Sequence, residues 1–340
     1  MLDFLRVARW RFGAGVLLAA SLSAFAAAQV DQTQRFFRIG TAASDGAYFS
    51  LGGLIANAIS NPPGSRPCDR GGSCGVPGLI AVAQSTQGSV ENLDLIVKGE
   101  LESGFSQADV AYAAFHGLGR YSKAPVTGLR SIASLYREAV HIVVRGDSGI
   151  ATIAELKGKR VAVGEEGSGT LSDAEAILNA YKLKRNDVQF QYMRPGQASD
   201  ALRKGRIDAF FLVAGAPAAS VTELAETIPI KLLPVSAEAI ERLHQTHPFL
   251  TRAVIPADTY LNVPEVETAG VAAEWVVMAS LDDDLVYGIT KALWEVSTRK
   301  LLEESGPAGR QIQLKQAVEG LAIPLHPGAE RYYREIGIIK

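Results

Sequence analysis

Residues 160–181 carry the pattern that most restricts how this chain can fold. Arg160-Val161-Ala162-Val163 reads as a buried strand. Gly164, Gly167 and Gly169 with Ser168 and Thr170 read as a tight loop, and Ala174, Ile177, Leu178 and Tyr181 as the apolar stripe of a helix. Unpaired N–H groups at a helix start, with the positive end of its dipole, attract a carboxylate or a phosphate. Alternatively, Ser168 or Thr170 simply caps its own helix.

The same order of strand, polar tip and helix recurs three more times. Residues 36–39 form a strand and 40–49 a loop of small residues that sets Ser44, Asp45 and Tyr48 at the start of a helix through 51–59. Residues 79–83 form a strand, 84–89 a polar turn containing Ser85, Gln87 and Ser89, and 89–97 a helix ended by Gly99. Residues 104–106 form a short strand, and Gln107 opens a helix through 110–116. In an open α/β sheet ligands bind beyond the carboxyl ends of the strands, which places Thr41, Ser85, Gln107 and Ser168 along one edge.

Further on, 129–136 and 140–144 read as two consecutive strands, with Tyr136-Arg137-Glu138 as the first crossing between two lobes. A short capped helix is expected over 148–159, a helix over 197–204, and a strand over 207–213. That strand ends at Ala214-Gly215-Ala216-Pro217, where small residues let a ligand approach the backbone. Residues 230–233 and 237–245 complete this block, and the chain returns from residue 254 to a strand at 271–278. One long helix then starts at Asp282, Asp283 and Asp284, with Leu285, Ile289, Leu293 and Val296 as core contacts. A last helix should dock on the first lobe.

The 340 residues suffice for two lobes. Arg6, Arg9 and Arg11 precede the apolar run 16–28, which reads as a secretory signal peptide cleaved near Ala28. An uncleaved anchor is the rival, although the run is shorter than the roughly 20 residues that span a bilayer. Loss of residues 1–28 removes three arginines and one aspartate and takes the formal charge from −2 to −4. A mildly acidic chain without a basic block argues against nucleic acid. The two cysteines, Cys68 and Cys74, share a Gly-rich loop and should pair in an oxidising compartment. His244 and His247 lie three apart on the helix expected there, without a third ligand in view, so a solvated helix end is favoured over a metal site. Gly167-Ser168-Gly169 lacks a histidine and an acid in chain order, and His141 sits in a strand as a packed or edge residue, so no catalysis is expected.

Gln84–Leu93, 106–112, 134–136, 164–170, 212–217 and 324–337 together resemble the TAXI family, the extracytoplasmic solute-binding subunits of TRAP transporters, over about 36–337. The resemblance implies an α/β, two-lobed periplasmic binding protein of type II, each lobe a mixed sheet flanked by helices with ligand in the cleft. Residues 1–28 would be the signal peptide, 29–137 plus 254–340 lobe I and 138–253 lobe II. The ligand would be a small carboxylate or an amino acid such as glutamate or glutamine. The partner would be a TRAP membrane permease driven by an ion gradient, and the protein a periplasmic monomer without cofactor. Carried over residue by residue, the family's first loop falls on 40–48, its polar turn on 85–89, its helix start on Gln107, its hinge tyrosine on Tyr136 and its second-lobe loop on 167–170. The expected ligand contacts are thus Thr41, Ser44, Asp45, Tyr48, Ser85, Gln87, Ser89, Gln107, Tyr136, Ser168, Gly169, Thr170 and Gly215. Asp45 departs from the family's loop. It would repel a dicarboxylate or pair with the ammonium of an amino acid. A periplasmic partner of a membrane receptor kinase, sensing the same solute, is the alternative.

Overall fold

A computed structural model describes residues 34–340, and the expected signal peptide lies outside them. The first parallel unit consists of β1 (Arg35–Gly40), α1 (Ala47–Ile59), the short pair β2 (Ser60–Asn61) and β3 (Val76–Pro77), β4 (Leu79–Gln84), α2 (Ser89–Val97), β5 (Ser103–Gln107) and α3 (Ala108–His116). After β6 (Leu129–Arg145) come β7 (Arg160–Ala162), α4 (Gly169–Ala180), β8 (Gln189–Gln191), α5 (Pro195–Arg203), β9 (Ala209–Ala214), α6 (Ala219–Thr227), β10 (Ile230–Leu232) and α7 (Ala237–His244). The chain finishes with β11 (Thr251–Ile255), β12 (Val266–Met278), α8 (Asp283–Leu293), α9 (Val296–Glu304), α10 (Pro307–Gln311) and α11 (Pro327–Glu335).

One mixed sheet runs β4-β1-β5-β12-β6-β9-β7-β8, with β10 paired to β6 and β11 to β12. In the first half β1 is parallel to both β4 and β5; in the second, β7 is parallel to both β8 and β9. Between them, β5–β12, β12–β6 and β6–β9 are all antiparallel. Three reversals in succession make the two parallel sets run in opposite senses. Their carboxyl ends therefore face each other, where Gln107 and Tyr136 both pair with Ala273, and Ala139 pairs with Ala214.

The long strands hold these halves together. Residues 129–136 and 140–144 belong to a single strand, because Arg137 and Glu138 keep their pairing with Ala272 and Val271 across the polar junction. Strand β12 begins five residues earlier than expected, pairing with β11 before it passes Gly270. Edge-on contacts of Trp275 with Phe37 and Phe105 fill the first half, against Ile55. Phe210, Leu202, Val221 and Tyr260 pack together in the second. On one sheet face a single apolar cluster, including Leu93, Val140 and Ile177, passes through both.

Three helical expectations change. Residues 148–159 form only a 3-10 turn, Ile153–Leu156, closed by a Thr152–Glu155 capping box. The long helix from Asp282 breaks after Leu293, where buried Trp294 turns its indole N–H onto the Tyr333 hydroxyl at 3.0 Å, and α9 starts anew. Helix α7 ends at His244, so His247 lies outside it beside the Thr246 hydroxyl; among the described residues no group of three metal-ligating side chains assembles. No helix among the described residues is long and apolar enough to cross a membrane. Helix α11 packs on α8, and Cys68 is bonded to Cys74.

Candidate functional site

Where the opposed strand ends meet lies a cavity of ≈ 90 Å³. One water takes about 10–15 Å³ on this measure, so the space equals roughly six to nine waters, the size of an amino acid or a short carboxylate. Tyr48, Gln87, Ser89, Gln107 and Tyr136 from the first half line it, with Ser168, Gly169 and Thr170 from the second. The other expected contacts lie elsewhere. Thr41 is fully buried, its hydroxyl donating to Gln84 O at 2.7 Å and its carbonyl accepting from Asn92 Nδ2 at 2.7 Å. It stitches strand tips together. Ser85 donates to Ala42 O at 2.9 Å, outside the cavity. Ser44, Asp45 and Gly215 line a neighbouring space of ≈ 300 Å³. Asp45 Oδ2 accepts from Gly196 N at 2.9 Å, so its charge rests on the first turn of α5.

Within the cavity the hydroxyls are largely committed to the protein. Ser168 Oγ accepts from Leu171 N at 3.1 Å and donates to Glu165 O at 2.7 Å, so it is the N-cap of α4. Thr170 Oγ1 accepts from Val213 N at 3.2 Å, and Ser89 Oγ from Gln107 N at 3.1 Å. The start of α2 is also occupied: Val90 N and Glu91 N both donate to Gly167 O at 3.1 Å, which joins the halves. The starts of α1 and α4 remain. No side chain caps α1, and the Ser168 cap serves only the Leu171 N–H of α4. The halves approach closely at Gly169, since a Cβ there would lie 1.7 Å from Gln107 Oε1.

Several lining residues were not singled out from the sequence: Glu138, Glu165, Met193, Pro195, Phe211 and Leu212. Glu138 had a readable signal, for it stands two residues after Tyr136 in an extended segment and so shares its face. The Tyr48 hydroxyl donates to Glu138 Oε2 at 2.9 Å. Burial pushes this carboxyl up to about 8, against the pull of that hydrogen bond. Beyond the cavity, the Asp109 and Asp173 carboxyls, one from each half, are buried against one another. Burial raises both above the ordinary carboxylate range. His141 is a packing residue: Nδ1 meets Ala139 O at 2.9 Å, Nε2 meets the Tyr260 hydroxyl at 2.8 Å, and burial lowers it to about 4.

Residues 39–337 match the model of the NMT1-like family. The chain belongs to the NMT1-like family. Among solved structures, this NMT1-like chain is similar to a protein from Bordetella bronchiseptica RB50, with 15% identity and a TM-score of 0.51 over 88% of this chain and 81% of that one. It is also similar to a histidine-bound ABC uptake transporter substrate binding protein from Streptococcus pneumoniae (15%, 0.49, 82% and 94%). The periplasmic aliphatic sulphonate binding protein from Escherichia coli is a further one (17%, 0.42, 81% and 76%). At such identities the likeness is one of fold alone, and the NMT1-like chain shares the mixed α/β architecture of the Bordetella protein.

Proposed function

We propose that this protein captures a small carboxylate or amino acid outside the cytoplasm by closing two lobes around it, and delivers it to a membrane permease. The observation that carries this reading is the cavity lined from both halves at opposed strand ends, with Gln107 and Tyr136 on one side and Gly169 and Thr170 on the other. A ligand there contacts both halves only when they meet, so it favours the closed arrangement by its differential affinity. The two crossings of the sheet support lobes of 34–137 plus 272–340 and 138–271, because β11 and Tyr260 pack with the second half. The permease we assign is of the TRAP type, on the resemblance of the loops at 84–93 and 164–170 to TAXI subunits. Binding rather than catalysis is favoured by His141, whose two ring nitrogens are both spent inside the core.

A thermal-shift screen of amino acids and carboxylates tests binding, since a ligand of the folded state alone must raise the midpoint. A flat response to the whole set would refute it. Uptake in vesicles carrying the cognate permease tests the transporter class: collapse of the ion gradient should stop it and removal of ATP should not.

A further inference from the structure

Among the described residues the cavity is lined by two acidic side chains, Glu138 and Glu165, and by no lysine, arginine or histidine. Glu165 is answered from outside by Arg194, whose Nε lies 3.2 Å from Oε1. Among the described residues Glu138 has no such partner. It is 4% exposed, accepts one hydrogen bond from Tyr48, and has the buried Asp109 and Asp173 as its charged neighbours, with Tyr136 beside it in the strand. A buried carboxylate without a cation is disfavoured, which is why its affinity for protons is raised. Gln107 Oε1 and Tyr136 Oη, in residues 2% and 3% exposed that line the same cavity, have no hydrogen-bond partner among the described residues. Glu138 and Gln107 Oε1 are acceptors, and an ammonium group offers three donors and a positive charge. The opposite need, N–H groups without acceptors, is met at the starts of α1 and α4. The cavity therefore has an acceptor pole and a donor pole.

Resting on the solute-binding reading above, we infer that Glu138 is the residue that holds the ligand's ammonium group, so that the protein selects zwitterionic amino acids over carboxylates of equal length that lack the nitrogen. Asp45, whose carboxylate is engaged by α5, is not that partner.

The test is a thermal-shift and calorimetric comparison on the whole protein at pH 7. The twenty L-amino acids are set against glutarate, glutaramate, 4-methylpentanoate, succinate and 2-oxoglutarate. At least one amino acid should stabilise the wild type while the nitrogen-free acids at the same concentration do not. Glu138→Gln, which keeps the shape and a partner for Tyr48, should weaken that amino acid by about a hundredfold or more, as for breaking a buried charge pair. Nitrogen-free acids binding as tightly as any amino acid would overturn the inference while leaving solute binding intact, as would undiminished affinity in folded Glu138→Gln. Should that variant fail to fold, the wild-type comparison decides alone. No response to either set would overturn both this inference and the reading beneath it.

Discussion

Gly169→Ala should weaken binding without lowering stability. Gly169 is the first residue of α4, and an alanine Cβ there would lie 1.7 Å from Gln107 Oε1, 2.5 Å from its Cδ and 2.7 Å from Ser89 Oγ. Gln107 has little room to retreat: it is 2% exposed, and its backbone N–H is held by Ser89. Its amide end must swing into the ligand cavity, or the halves must stay apart. Overpacking of this kind costs about 1–3 kcal/mol. Because the clash exists only when the halves meet, the whole cost falls on the closed, ligand-bound form, weakening affinity by about 5- to 150-fold. With the halves apart there is no clash, and Ala exceeds Gly in a helix by up to about 1 kcal/mol. Urea unfolding of the ligand-free variant should therefore show stability unchanged or slightly raised. Calorimetry with the amino acid identified by screening should show the affinity loss. Truncating Gln107 in the same background should restore part of it, as a double-mutant cycle detects. Unaltered affinity in Gly169→Ala would show that the halves do not meet at this point around ligand, and the closure argument would fail.

Ser168→Ala removes the cap of α4 and should lower stability by about 0.5–2 kcal/mol in urea unfolding. Glu274 is buried between the Ser131 hydroxyl and Ala322 N, and burial pushes its carboxyl from the ordinary 4.5 up to about 7. The folded state thus holds more protons than the unfolded state between these values. The stability it contributes is full below pH 4.5 and is lost as pH rises through 7, by at most about 3 kcal/mol. Glu274→Gln should flatten that part of the wild-type decline in urea midpoints measured from pH 5 to pH 8; an equally steep decline would refute the assignment. Replacing Cys68 and Cys74 with serine opens a small loop and should cost about 2 kcal/mol, with ligand affinity unchanged.

Much of the fold was legible because strand, glycine-rich tip and helix differ in period and composition. All four units appear, and α4 and α2 start within a residue or so of their capping signals. The errors arose where tertiary contacts override local pattern. The polar Tyr136-Arg137-Glu138 reads as a break, yet pairing with β12 keeps it in one continuous strand. The α8–α9 break is enforced by the Trp294–Tyr333 contact, made with a residue 39 positions away.

The roster of polar tips was likewise readable, since hydroxyls and glycines beyond strand ends mark them from composition. Their partners were not. Thr41, Ser85 and Ser168 turn their hydroxyls onto nearby backbone, while Glu138 and Gln107 are brought to the cavity by antiparallel pairing across residues more than a hundred positions apart. The order of residues along the chain determines which segments can be strand, tip or helix, because those preferences are local. Which tips face one another, and which acid is left buried without a cation, is decided only by the reversals in β12, β6 and β9, because the free energy of a charge depends on what surrounds it in space.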